Sequence, residues 1–280
     1  MRKILLTIII AMLGLAAQAQ AYSGLEGNKP IRISKKIPLD KSFMECVYSH
    51  KVHDPIDGRT REEFKILEIG NKYSQYSCYG YYRVDSVVER YYPDGLTKNE
   101  YHSLCVKYNP TPGSVVKDLI QREINIYDKV FMDEYEYSED YPDIPWKLES
   151  GTLNVCGQIC HKATARFRGR NWTAWYSDIP QNNGPWKFCN LPGLILKVED
   201  DKKEQIFEAI QVRNSDHDFG LKKRRREKTT REKYNKALAD FKTTPRSFLM
   251  GNSNIPMPTN ADGKVDMPND RLFFNPIELE

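Results

Sequence analysis

Short alternations of apolar and polar residues recur along the chain and predict a protein built mainly from β-strands. Three pairs of such runs meet at short turns rich in glycine, asparagine or aspartate, and each pair predicts a β-hairpin. The three predicted hairpins cover residues 64–78, 163–176 and 194–212. Residues 124–137 form a further extended run, with Tyr135 and Tyr137 on one face. Residues 91–108, which contain the turn sequence Pro93-Asp94-Gly95, predict irregular structure.

One segment near the C-terminus has the period of an α-helix. Its apolar residues are spaced at i, i+3, i+4 and i+7, so they form a single stripe. The stripe consists of Tyr234, Ala237, Leu238 and Phe241. Thr229 is followed three residues later by Glu232, which predicts a capping box at the start of the helix, and Pro245 ends it.

These elements together predict an α+β, β-rich fold, in which an antiparallel sheet carries a C-terminal helix packed on it. The hairpin spacing allows the sheet to curve into an open half-barrel. The domain is expected to cover residues 20–250. Residues 251–280 are rich in asparagine, proline and aspartate, so they predict an irregular C-terminal arm.

The amino terminus has the pattern of a secretory signal peptide. Arg2 and Lys3 precede an apolar run, and small residues follow at Ala17, Ala19 and Ala21. The run is too short for a comfortable membrane anchor, because a span needs about 20 apolar residues. We therefore expect a signal peptide at residues 1–19, and export of the mature chain to the periplasm or outer cell envelope.

Composition and charge narrow the functional classes. The residue types AVILMFWYC make up 40% of the chain and charged residues 29%, which excludes a disordered chain and a multi-span membrane protein. A net charge of +4 is too small to indicate a nucleic-acid partner. The basic run at residues 222–226 is interpreted as a solvated approach to the helix. The alternative is peripheral contact with an anionic envelope surface.

The expected export also bears on the oxidation state of the cysteines. Six cysteines in an oxidising compartment predict disulfide bonds, although the sequence leaves their pairing open. The candidates are Cys46, Cys78, Cys105, Cys156, Cys160 and Cys189. Their spacing is not that of a zinc site.

The most informative block of the sequence lies between residues 157 and 200. It contains, in order, Cys160-His161-Lys162-Ala163, Arg168-Gly169-Arg170, Ala174-Trp175-Tyr176, Ile179-Pro180, Gly184-Pro185 and Leu191-Pro192-Gly193-Leu194-Ile195. This order resembles the pattern of the GLPGLI family of secreted bacterial proteins. The ending Asn275-Pro276-Ile277-Glu278-Leu279 is also similar to the family's ending. The resemblance implies an exported protein with a β-rich fold, and it supplies no catalytic residue.

One position departs from the family signature. Asn190 replaces its first glycine. Asparagine is the non-glycine residue that best tolerates positive φ, so we expect a left-handed backbone to be retained at this position.

Two interpretations of this block follow from its residue types. In the first, the Leu191-Pro192-Gly193 bend and the nearby tryptophans are a packed folding element. In the second, they line a concave apolar surface that holds a hydrophobic ligand or an envelope partner. The residues assigned to that surface are Trp175, Trp186, Leu191, Pro192, Gly193 and Leu194. We expect a non-enzymatic binding protein without a cofactor.

Two other functions remain open. A hydrolase or thiol-dependent enzyme could use Cys160, but on a strand Cys160 and His161 point to opposite faces and cannot act as a pair. A metal-binding protein could use His50, His53 and Asp54 if that segment turns. If the segment is instead a strand, the two imidazoles diverge, so no metal ligand is assigned.

Overall fold

The computed structural model describes residues 27–31, 33, 36–251, 259–260, 262 and 271–280. The predicted signal peptide lies outside the described residues, as does most of residues 252–270 of the predicted C-terminal arm. No helix within the described ranges is both long enough and apolar enough to cross a membrane.

The described residues form two compact units. The smaller unit, which includes residues 80–111, contains two short paired strands and two helices. They are β1 (Pro30–Ile31), β5 (Leu96–Thr97), α1 (Tyr79–Tyr91) and α2 (Lys98–Tyr108). The prediction of irregular structure at residues 91–108 is wrong. Thr97 and Glu100 form a complete capping box, which starts α2 directly after the turn.

The larger unit is built around a sheet of twelve strands. In chain order they are β2 (Lys36–His53), β3 (Thr60–Ile69), β4 (Tyr73–Cys78), β6 (Ser114–Asp118), β7 (Glu123–Val130), β8 (Asp133–Asp140), β9 (Lys147–Val155), β10 (Gln158–Phe167), β11 (Arg170–Ser177), β12 (Ile195–Asp200), β13 (Gln205–Lys222) and β14 (Glu227–Lys228). The spatial order is β14-β8-β7-β6-β4-β3-β2-β13-β12-β11-β10-β9. Neighbouring strands are antiparallel except β14 and β8. Two helices follow, α3 (Arg231–Thr243) and α4 (Pro245–Gly251).

The observed architecture confirms the predicted fold class. The described residues are 48% strand and 19% helix, with a large, mostly antiparallel sheet and a C-terminal helix. The three predicted hairpins are present as β3–β4, β10–β11 and β12–β13. The sheet is not closed, because β14 and β9 are its two ends.

The sheet is strongly curved. Eight strand spacings separate β8 from β11, so in a flat sheet these two strands would lie about 38 Å apart. Arg168, in the turn between β10 and β11, nevertheless donates a hydrogen bond of 2.8 Å to Glu139 on β8. The sheet therefore curls around a concave interior, as in an open half-barrel.

Helix α3 packs on this interior through its predicted apolar stripe. The Tyr234 ring contacts Tyr135 and Tyr137 at centroid distances of 6.2 and 5.4 Å. Both tyrosines therefore lie on one face, as predicted. The helix begins one residue later than predicted, because Thr230 rather than Thr229 caps it, with its side chain accepting from the Lys233 amide.

Residues 271–280, the C-terminal segment, contain no strand or helix, and a buried arginine is one of the side chains that hold them to the sheet. Arg170, on β11, donates to the carbonyls of Ile277 and Pro276 and to the Asn275 side chain, at 2.6–3.0 Å. The same guanidinium also pairs with Asp200 and Glu204. Two nitrogens of the guanidinium, Nε and Nη2, thus bind this segment, while Nη1 binds the two carboxylates.

Candidate functional site

The residues between β11 and β12, which we call the motif loop (residues 178–194), fill part of the concave interior. Phe188 lies at its centre, with ring centroids of Trp172, Trp186 and Phe207 at 4.8, 5.2 and 5.8 Å. The loop is held by the fully buried Lys117 of β6. Its ammonium donates to the Asn183 side chain and to the carbonyls of Gly184 and Phe188, at 2.8–2.9 Å. Burial lowers the pKa of Lys117 to about 8.

Beside the motif loop lies a cavity of 330 Å³, which we call the inner cavity. Strands of the sheet, α3 and the C-terminal segment all contribute to its walls. Most of its deep lining is aromatic or aliphatic. These residues are Tyr76, Val115, Ile126, Tyr137, Trp186 and Phe207. The volume is at the lower end of the range for small-molecule sites, about 300–1,000 Å³.

One polar group in this lining has no partner. The hydroxyl of Tyr76, on β4, is buried and forms no hydrogen bond with a described residue. Burial raises the pKa of Tyr76 well above its ordinary value, so the hydroxyl keeps its proton. An unsatisfied buried hydroxyl costs about 1–3 kcal/mol. A guest molecule with a hydrogen-bonding group would remove that cost.

His50 also lines the inner cavity, but its role is packing. Its ring stacks on Phe207 at 3.9 Å, and Nε2 lies 2.9 Å from the Gln205 side-chain oxygen. Burial lowers the pKa of His50 to about 4, so the imidazole is neutral near pH 7. His53 instead contacts Thr60, and Asp54 accepts from Arg271. The three candidate metal ligands therefore do not converge, because β2 remains extended as far as His53.

Most of the other charged groups that line the inner cavity have an ion-pair or hydrogen-bond partner nearby. Lys65 pairs with Glu63 at 2.7 Å on the same strand. Lys187 is fully buried and contacts both Glu139 and Glu278. Asp128 accepts a hydrogen bond of 2.6 Å from the hydroxyl of Tyr234, and burial raises its pKa. Lys242, on α3, differs from this group because it forms no ion pair with a described residue.

Of the six residues assigned to a binding surface from the sequence, Trp186 lines the inner cavity. Leu191 and Leu194 are fully buried in the core. Gly193 is also buried, and a Cβ on it would lie 1.7 Å from the Ser177 carbonyl oxygen. Pro192 is exposed and Trp175 half-buried. These five positions lie outside the wall of the inner cavity, and the three buried ones form part of the core.

The departure from the family signature has the predicted geometry. Asn190 has a φ of 68°, so the expected left-handed backbone is confirmed. Its side chain donates a hydrogen bond of 2.7 Å to the Pro142 carbonyl, and its amide donates to Asn182. Asparagine thus adds a side-chain contact that glycine could not make.

The predicted disulfide bonds are absent: none of the six cysteines is joined to another. Cys46, Cys160 and Cys189 are fully buried among apolar side chains, where a thiol packs as a small hydrophobic group. A chain of this length buries enough surface to be stable without cross-links. The prediction relied on the even number of cysteines and on the expected oxidising compartment. Neither determines whether two thiols lie close enough to form a bond.

Cys160 is also poorly placed for thiolate chemistry. Burial raises the pKa of its thiol to about 11. His161 points away from it and contacts Asp178 at 3.1 Å. No nucleophile–base pair is formed at this position.

A cluster that the sequence did not reveal lies where β2, β3 and β13 are neighbours. Glu45, Glu68 and His217 each place one potential metal ligand within 4.8 Å of the others. Arg213 donates to Glu45 at 2.6 Å, and His217 bonds to Glu68 at 3.0 Å. These cations balance the two buried carboxylates, so we interpret the cluster as a structural ion-pair network.

Comparisons with known proteins add little. No family model and no curated protein matches the chain. Among solved structures, the chain is similar to PNGF-II in its P21 and C2 crystal forms, with 13% and 14% identity and TM-scores of 0.47 and 0.45. Each alignment covers 70% of this chain and 32% of the PNGF-II chain, so the chain spans about a third of that length. Similarity at this level supports no inference about function.

Proposed function

We propose that this chain is an exported binding protein that holds a small, largely hydrophobic molecule in the inner cavity. The observation that supports this proposal is a 330 Å³ cavity with a largely aromatic lining, which includes Tyr76, a residue whose hydroxyl has no partner among the described residues. The N-terminal sequence pattern supports export to the periplasm or outer envelope. The ordered matches between residues 157 and 200 support membership of the GLPGLI family.

In this proposal the lining has two tasks. The apolar walls around Trp186 and Phe207 supply most of the binding free energy, about 25 cal/mol for each Å² of apolar surface removed from water. The hydroxyl of Tyr76 fixes the orientation of the ligand by hydrogen-bonding to its polar group. The lining needs no reactive group for this function.

The direct test uses N-phenyl-1-naphthylamine, an uncharged aromatic amine whose fluorescence rises in apolar surroundings. The purified mature chain should bind it at a single saturable site. Tyr76→Phe removes the hydroxyl and should weaken binding by about tenfold, the equivalent of one lost hydrogen bond. Tyr127→Phe is the matched control, because Tyr127 lies on β7 but does not line the inner cavity.

The proposal predicts a defined pattern across the three proteins. Wild type and Tyr127→Phe should bind alike, and Tyr76→Phe should bind more weakly while unfolding at the same temperature. Absence of saturable binding by the wild type would refute the proposed function. Equal binding by all three would remove Tyr76 from the site.

A second candidate is contact with an anionic envelope surface. Within the basic run, Arg224 pairs with Glu134, and Arg226 lies over the Tyr127 ring at 4.9 Å. Lys223 and Arg225 are exposed. Co-sedimentation with anionic vesicles at low salt, lost in a Lys223→Gln/Arg225→Gln variant, would support this contact. Equal sedimentation of the two proteins would exclude the basic run as its cause.

A further inference from the structure

Two cations near one part of the inner cavity lack a negative partner. Lys242 on α3 lines the cavity and is half-buried, and its ammonium forms no ion pair with any residue in the described ranges. The guanidinium of Arg61 lies over the ring of Phe273, 4.3 Å from its centre, and likewise has no acidic partner among those residues. Phe273 is itself part of the cavity wall.

Arg61 is directed toward the same side of the sheet as the cavity. It shares a face of β3 with Glu63 and Lys65, since alternate residues of a strand point the same way, and both of those residues line the cavity. Burial and the charge of Arg61 lower the pKa of Lys242. Lys242 and Arg61 are therefore close enough to repel each other, and an anion between them would relieve that repulsion.

The carboxylates near these cations are engaged elsewhere. Glu63 forms its ion pair with Lys65, and Asp128 accepts from Tyr234. Tyr76, Glu63 and Lys242 all line the inner cavity, and Arg61 reaches its wall through the Phe273 ring. The cavity thus combines two cations without an acidic partner with the apolar walls of Trp186 and Phe207.

We infer that the ligand is a small amphiphilic carboxylate, whose apolar body lies in the inner cavity and whose head pairs with Lys242 and Arg61. This inference rests on the proposed function and specifies its ligand class. A carboxylate fits because its two oxygens can accept hydrogen bonds from an ammonium and a guanidinium at once. Lys65 pairs with Glu63 and so offsets the like charge of that residue near the head.

The inference is tested with three ligands of equal chain length and different heads: decanoate, decanol and decylammonium. Each displaces N-phenyl-1-naphthylamine from the mature chain at low salt. Decanoate should bind about tenfold more tightly than decanol, and decylammonium should bind more weakly than decanol. Acetate, which has the head but no chain, should not displace the probe at matched concentrations.

Charge variants locate the head group. Lys242→Gln and Arg61→Gln should each remove most of the preference for decanoate over decanol. Lys242→Arg should restore it. Lys236→Gln is the matched control, since Lys236 is an exposed lysine on the same helix, paired with Asp240, and carries the same charge. Its ligand preferences should equal those of the wild type.

The outcomes separate the two proposals. If decanol binds as tightly as decanoate, the carboxylate inference is wrong and the proposed function stands. If Lys236→Gln loses the preference as fully as Lys242→Gln, the effect is one of net charge and the inference is also wrong. If neither the probe nor any chain-bearing ligand binds the wild type, the proposed function itself fails.

Discussion

The concave interior contains two neighbouring regions that treat buried polar groups in opposite ways. In the motif loop, the ammonium of Lys117 has three acceptors within 2.9 Å. In the inner cavity, the hydroxyl of Tyr76 has no partner and Lys242 has no counter-ion among the described residues. The region with the recognisable sequence motif is thus saturated by its own chain. An external ligand can therefore gain polar partners in the inner cavity, where such groups remain unsatisfied, but not in the motif loop.

The largest expected effect comes from replacing Lys117, whose ammonium has three hydrogen-bond acceptors. Lys117→Met should lower the free energy of unfolding by about 3 kcal/mol or more, because it removes three buried hydrogen bonds and leaves the carbonyls of Gly184 and Phe188 without a donor. Urea denaturation of the variant measures this loss. Lys236→Met, at an exposed position, should change stability by less than about 0.5 kcal/mol. A comparable small change for Lys117→Met would contradict the view that the motif loop depends on it.

An effect of intermediate size is expected at two adjacent tyrosines, which differ in whether the hydroxyl has a hydrogen-bond partner. The rings of Tyr48 and Tyr76 contact each other at 6.1 Å, but the hydroxyl of Tyr48 donates to the Ile195 carbonyl at 2.7 Å. Tyr48→Phe should therefore cost about 1–3 kcal/mol, whereas Tyr76→Phe should cost nothing or stabilise the protein slightly. The two unfolding curves, measured without ligand, decide this. Equal losses would mean that Tyr76 has a partner in solution.

A smaller effect is expected from pH at the ion-pair network. The hydrogen bond to Glu68 and the charges of Glu45 and Glu68 raise the pKa of His217 above its usual 6.5. Burial and the charge of Lys36 lower it, but by less. This contribution is complete below the unfolded pKa and is lost as pH rises through the folded value. The stability difference between wild type and His217→Gln should therefore be larger at about pH 6 than at about pH 9. A difference that grows toward high pH would refute the assignment.

The elements that sequence predicted well are those determined by neighbours in the chain. The hairpin of β10 and β11 follows from strict alternation around Gly169, and the stripe on α3 from its helical spacing. Helix α2 was missed although Thr97 and Glu100 formed its capping box, because the preceding Pro93-Asp94-Gly95 turn dominated the interpretation.

The candidate site was only partly predictable for a different reason. Trp186 could be named because it lies within a recognisable motif. Tyr76 and Lys242 come from β4 and α3, and they line one cavity because the sheet curls and α3 packs on its interior. Arg61, on β3, reaches the same cavity wall through Phe273. Strand order and curvature depend on pairings such as that of β2 with β13, whose residues are far apart in sequence. Local patterns contain no information about such pairings.

The bonds of Arg170 have a consequence for the order of events during synthesis. Its partners in the C-terminal segment lie 105–107 residues further along the chain. At a ribosomal rate of about 5–20 residues per second, they emerge about 5–20 s after Arg170 itself. For that interval the guanidinium must remain hydrated, so the beginning of β11 cannot desolvate early. The nascent chain should therefore stay open around Arg170, and so available to factors that bind unfolded segments, until residues 275–277 have been added.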